Sequence, residues 1–150
     1  MQIRFNKPYY TGKEIEYIKD SMEKHKLCGD GYYTKKVNTF IEEKFKTKKS
    51  LFVTSGSSAL DIAAILLDLK PEDEVIMPSY TFVSTANAVV LRGAKVVFAD
   101  INPSTLNIDP DEIEKRITKK TKAIFPVHYA GVACDMDRIM KIAEKHNLKV

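Results

Sequence analysis

The chain has 150 residues, 44% of them hydrophobic, which is long enough for one domain with a buried core. Its formal charge of +4 comes from lysines interleaved with acidic residues through 35–49 and 115–122, a solvated-surface pattern that argues against a nucleic-acid partner. Cys28 and Cys134 lack metal-ligand spacing and read as reduced thiols of a cytoplasmic protein, and neither the amino terminus nor the longest apolar run, 62–67, fits a signal or a membrane span; no metal or membrane partner is expected.

Thr11-Gly-Lys-Glu14 reads as a capping box opening an amphipathic helix with Ile15, Ile18 and Met22 on one side. Leu27-Cys-Gly-Asp-Gly31 is a glycine-rich loop, and Val37, Phe40, Ile41 and Phe45 mark a second amphipathic helix. A strand is expected at 51–53. It breaks into a small-residue turn that opens directly into a helix at 57–69, apolar almost all round and so needing cover on most sides. A turn at Pro71 leads to a strand at 74–77, ended by Pro78; a helix around 82–91 stops at Gly93, and a strand follows at 95–100. Asp109-Pro-Asp-Glu112 combines an N-cap, proline at the first helical position and a carboxylate at the third, starting a helix that runs to about Lys119. A strand at 121–127, a helix at 136–146 and the beginning of another strand at 148–150 complete the chain.

This alternation predicts an α/β fold, a mostly parallel sheet with helices on both faces. Ligands of such sheets sit at the carboxyl ends of the strands, where the turns at 54–58, 78–81 and 128–131 would gather. A parallel strand that stops after three residues leaves its sheet half built. The expectation is therefore the first part of a longer protein, the alternative being a short edge strand that closes a small domain.

Leu51-Phe-Val-Thr-Ser-Gly-Ser-Ser-Ala-Leu60 carries the most chemistry. The order strand, small-residue turn, helix N-terminus aims unpaired N–H groups and the positive end of a helix dipole at one spot, which suits a phosphate. It is neither a Walker loop nor the three-glycine dinucleotide fingerprint. The plain alternative is a connecting turn in which Ser57 or Ser58 serves only as N-cap. Tyr80 and Phe82, in Pro78-Ser-Tyr-Thr-Phe-Val-Ser-Thr-Ala-Asn87, would stand at the same sheet edge, where a flat ring suits a ligand bearing both a phosphate and a planar ring. Tyr80 reads as packing over the strand ends.

Three stretches, Thr54-Ser-Gly-Ser-Ser-Ala-Leu60, the run from Asp73 to Asn87, and Pro126-Val-His-Tyr-Ala-Gly131, resemble the pyridoxal-phosphate-dependent sugar aminotransferases of the DegT/DnrJ/EryC1/StrS type. Leu27–Gly31, Leu91-Arg-Gly-Ala-Lys95 and the run from His128 to Cys134 look like the branch that makes a dTDP-linked 4-amino-4,6-dideoxygalactose. The resemblance implies a fold-type-I transferase, homodimeric, with pyridoxal 5′-phosphate as cofactor. It would transfer an amino group from glutamate to the 4-keto carbon of a dTDP-linked 4-keto-6-deoxyhexose, a nucleotide-sugar substrate of cell-surface polysaccharide synthesis. It maps cofactor binding onto Ser55, Gly56, Ser57 and Phe82, and substrate binding onto Phe5 and Lys26. His128 and Tyr129 fall in a turn near the site, with His128 open between a functional and a structural role. It also implies residues 1–30 as arm, first helix and glycine loop, and 31–150 as the first part of the cofactor-binding domain. No catalytic residue is assigned, because the family's Schiff-base lysine falls further along than residue 150. The 150 residues alone are expected to be inactive. Alternatives are a non-catalytic cofactor-binding fragment and a dehydratase variant of the same family.

Overall fold

The computed structural model describes residues 6–150, so Phe5 lies outside the described residues. Two compact units form, one up to Phe52 and one spanning Val53–Val150; the boundary expected after residue 30 falls inside the first.

The first unit contains α1 (Glu14–Glu23) and α2 (Tyr32–Phe45). Only half of the expected capping box forms at α1. Glu14 reaches back to the Thr11 and Gly12 N–H groups (2.7 and 2.9 Å), but the Thr11 hydroxyl donates to Glu14 at 2.8 Å and accepts only from Lys13 N–H. The bonds from Thr11, its backbone first, hold the Glu14 carboxyl down at about 2. Tyr33 ties α2 to α1 by donating to Asp20 at 2.7 Å, a bond that lifts its phenol to about 12. The expected apolar stripe of α1 does not make a core: Ile15, Ile18 and Met22 are 62%, 55% and 56% exposed.

The second unit is built on a parallel sheet of β1 (Glu74–Pro78), β2 (Lys95–Ala99) and β3 (Thr121–Ile124), in the order β2-β1-β3. Central β1 is buried on both faces, as its continuous apolar run requires. Val75 and Met77 point to one face, where Ala64 of α3 (Gly56–Leu66) and Ala88 and Val89 of α4 (Ser84–Val90) cover them. Ile76 points to the other, beneath Ile113 of α5 (Pro110–Arg116) and Ile139, Ile142 and Ala143 of α6 (Met136–His146). The result is the three-layer α/β arrangement read from the sequence. Asp109 caps α5 through Asp111 N–H at 2.9 Å, with Pro110 at the first helical position, and Asp135 caps α6 through Arg138 N–H at 3.2 Å.

Some elements are shorter than read. Segment 51–53 is not a strand: Phe52 N–H is taken by the Asn38 side chain at 2.8 Å, and no ladder partner stands beside it among the described residues. Helix α3 stops at Leu66 because Asp68 turns into the left-handed region (φ 50°). Its cover is incomplete, with Leu66 exposed. Helix α5 stops at Arg116, where Ile117 becomes extended. Strand β3 stops at Ile124; Phe125 N–H still reaches the Ile76 carbonyl, while Pro126 has no N–H to offer on the side of residues 148–150. Residues 148–150 begin to pair as expected, Lys149 bridging Ala123 in parallel.

Candidate functional site

A cleft of about 1330 Å³ opens in the second unit at the carboxyl ends of β1 and β3. Gly56 and Ser57 of the α3 N-terminus, Thr81 and Phe82 from the loop after β1, and the segment from Phe125 to Ala130 after β3 all line it. The sheet edge therefore gathers the three turns that the strand order places there. The cleft continues along the α3 flank past Leu60 and Ala63 to Lys122 and Lys149, so most of its wall is apolar.

The α3 N-terminus sets the polar chemistry. Ser55 is extended (φ −156°, ψ 159°), and its hydroxyl accepts Ser58 N–H at 3.1 Å and pairs with the Ser58 hydroxyl at 3.0 Å. Neither Ser57 nor Ser58 is the N-cap, because Ser55 lies one residue outside the helix with its oxygen over the third amide. Ala59 N–H bonds the Ser55 carbonyl. The Gly56 and Ser57 amides are the remaining first-turn donors, and among the described residues neither finds a partner. A Cβ placed on Gly56 would meet nothing within 4 Å, so the space in front of the turn is open. Two free amides at the positive end of an 11-residue helix are a geometry that can accept an anion.

Phe82 is 71% exposed and lines the same cleft, a bare ring next to that seat. Its loop is pinned by a bond between the Thr81 and Thr85 hydroxyls at 2.8 Å. Tyr80 packs its ring against that of Tyr129, centroids 4.4 Å apart and tilted by 31°, and Tyr129 donates to the Tyr80 hydroxyl at 2.8 Å. That bond, with desolvation, raises the Tyr129 phenol above its usual value.

The turn carrying His128 and Tyr129 is braced from behind. Buried Asn107, 3% exposed, accepts Tyr129 N–H at 2.9 Å and donates to the Val132 and Ala133 carbonyls at 3.1 and 3.0 Å. Cys134 donates its N–H to His128 Nδ1 at 3.0 Å and its thiol to the Val127 carbonyl at 3.2 Å. An Nδ1 that accepts leaves the proton of the neutral imidazole on Nε2. His128 thus has a structural bond while still lining the cleft. Burial pushes the Cys134 thiol up, away from the reactive thiolate. Asn107 carried no signal in the sequence, where it is one more polar residue ahead of the α5 cap. Lys26 sits exposed on the loop after α1, in the first unit.

Among the described residues no cluster of His, Cys, Asp or Glu is placed to hold a metal ion, and no helix is long and apolar enough to cross a membrane.

Known proteins share this arrangement. The GDP-perosamine synthase of Caulobacter vibrioides is 36% identical over 143 residues, covering 95% of this chain and 38% of that protein. The structure of an aminotransferase from Psychrobacter cryohalolentis superposes with a TM-score of 0.88 at 37% identity, over 94% of this chain and 36% of the other. A GDP-4-keto-6-deoxymannose-3-dehydratase, solved with a trapped PLP-glutamate geminal diamine, superposes with a TM-score of 0.89 at 27% identity, over 98% and 39%. The chain thus spans under two fifths of the length of the relatives it matches. Residues 8–150 match the DegT/DnrJ/EryC1/StrS aminotransferase family, and the chain belongs to that family.

Proposed function

We propose that this chain supplies the cofactor phosphate seat and ring platform of a pyridoxal-phosphate-dependent sugar aminotransferase. The observation that carries the reading is the pair of partnerless amides at Gly56 and Ser57, opening into an apolar cleft beside the bare ring of Phe82. The phosphate sits on those two amides with the Ser57 hydroxyl as a third donor, and Ser55 shapes the cup as its cap rather than by contact. Phe82 packs flat on the pyridine ring, and the walls at Leu60, Ala63 and Val127 keep water off it. Bound there, pyridoxal phosphate supplies the electron sink for amino-group transfer. No lysine of these 150 residues is assigned to proton transfer.

The substrate we propose is a nucleotide-linked 4-keto-6-deoxyhexose, with glutamate as amino donor, in a cytoplasmic homodimer. The dTDP form rests on the Leu27–Gly31 and His128–Cys134 stretches, against GDP in the perosamine synthase, and Phe5 and Lys26 would touch the sugar nucleotide. The likeness to the dehydratase supports a second reading, loss of water from the sugar instead of gain of an amine. Incubating the full-length protein with glutamate and each nucleotide sugar separates them by product, because amino transfer leaves the donor's nitrogen on the sugar whereas dehydration leaves a sugar that has lost water and carries no nitrogen.

The seat is tested by Gly56→Pro. Proline suits the first helical position, its preceding residue is already extended, and the amide it deletes bonds nothing in the fold. Pyridoxamine 5′-phosphate binding should weaken about tenfold or more, the effect of one charge-assisted bond, while unphosphorylated pyridoxamine binds as before and thermal stability holds. Undiminished binding of pyridoxamine 5′-phosphate would refute the assignment.

A further inference from the structure

We propose that the Tyr80–Tyr129 hydroxyl bond is a latch that fixes the Phe82 platform, making both tyrosines positioning residues for the ring of a bound cofactor; this rests on the function proposed above. Phe82 stands on the 79–83 loop, whose inner side is held by the Thr81–Thr85 bond. Backbone bonds from Thr81 N–H to the Ser79 carbonyl and from Thr85 N–H to the Phe82 carbonyl hold it to itself and to α4, and Tyr80 supplies its tie to the facing wall. Among the described residues, the 2.8 Å contact from the Tyr129 hydroxyl to that of Tyr80 is the one hydrogen bond that ties the 79–83 loop to the 125–134 segment. The far end of the latch is rigid. Tyr129 N–H is held by buried Asn107, which also grips Val132 and Ala133, and Cys134 secures the neighbouring His128. The rings add contact at 4.4 Å between centroids, so the pair resists both sliding and separation. The loop that carries an exposed aromatic is in this way anchored to the wall that Asn107 and Cys134 brace. A ring platform is useful only when held in place before the ligand arrives, because ordering it on binding subtracts from affinity.

The latch acts on the ring and not on the phosphate, whose seat belongs to α3, and that difference is its test. Tyr129→Phe and Tyr80→Phe each remove the bond while keeping the rings. On the full-length protein, either change should weaken pyridoxamine 5′-phosphate about 3- to 10-fold by calorimetry, leaving inorganic phosphate, followed by phosphorus NMR, unchanged. The double variant should lose no more than either single one, because all three delete the same bond. Equal losses for both ligands, additive losses, or no loss at all would overturn the latch. Tyr80 is the more exposed partner, so Tyr80→Phe decides the matter should Tyr129→Phe unfold. A wild-type chain that binds pyridoxamine 5′-phosphate no better than phosphate would instead overturn the proposed function.

Discussion

Replacing Asn107 by alanine tests whether the cleft's far wall is built as described. The side chain makes three bonds from a position 3% exposed: one accepted from Tyr129 N–H and two donated to the Val132 and Ala133 carbonyls. Truncation leaves three backbone groups short of a partner, each worth about 1 kcal/mol net. Val132 and Ala133 are exposed, so water can partly replace the two donated bonds, while the half-buried Tyr129 amide is harder to rehydrate. The expected loss is about 2–3 kcal/mol, a fall in thermal midpoint of about 5–10 °C for a chain of this length. Asn107→Asp sharpens the reasoning. It keeps the acceptor for Tyr129 but sets a carboxylate against two carbonyl oxygens, which raises its folded pKa above the unfolded value near 3.9. The folded variant then binds more protons than the unfolded one, so its stability falls as pH rises from about 4 and recovers in acid. Denaturant melts of both variants at pH 4 and pH 7 supply the measurement. A loss below about 0.5 kcal/mol for Asn107→Ala, or an Asn107→Asp melt that follows the wild type at both pH values, would refute the brace.

Ser55→Ala should cost about 1 kcal/mol by denaturant melt through loss of the α3 cap, and a change of only a few tenths would count against the capping geometry. The Glu14 carboxyl, held at about 2 against an ordinary 4.5, supports the start of α1 above pH 4.5 and gives up that support as pH falls toward 2. Amide NMR of Thr11 and Gly12 should follow the same midpoint, and Glu14→Gln should abolish the titration. Gly131 has φ 81°, so Gly131→Ala should destabilise by about 1 kcal/mol in a thermal melt, whereas Ala130→Gly at φ 51° should be neutral or better.

Where the code is local, the sequence was readable. Helix α6 spans Met136–His146 as its Asp135 cap and apolar period require, Asp109-Pro110 starts α5, and the alternation of elements gives the parallel sheet. Readability failed where distant partners decide. The β-rich run at 51–53 needs a neighbouring strand to become one, and its Phe52 amide goes to Asn38 instead. The α1 stripe is amphipathic by period, yet periodicity says nothing of what covers it. In the candidate site, the loops gathered at the cleft follow from strand order alone. The Tyr80–Tyr129 bond and the Asn107 grip join residues 49 and 22 to 26 positions apart, and no spacing rule announces such pairs.

The choice of cap explains why the proposed anion seat falls on Gly56 and Ser57. A helix leaves its first amides unpaired, and the N-cap side chain takes the third of them. With Ser55 as cap, Ser58 N–H is the amide consumed and those of residues 56 and 57 stay free. Had Ser57 been the cap, the free pair would have moved to residues 58 and 59, away from the open space in front of Gly56. At the amino ends of the strands Lys95 and Lys120 both reach Glu72, and Lys122, at the far end of the cleft, stands 3.9 Å from Asp73, so their charge is already shared with acids. Backbone amides fixed by a capped helix need no rearrangement to meet an anion, and the Ser55 cap is what leaves those two free.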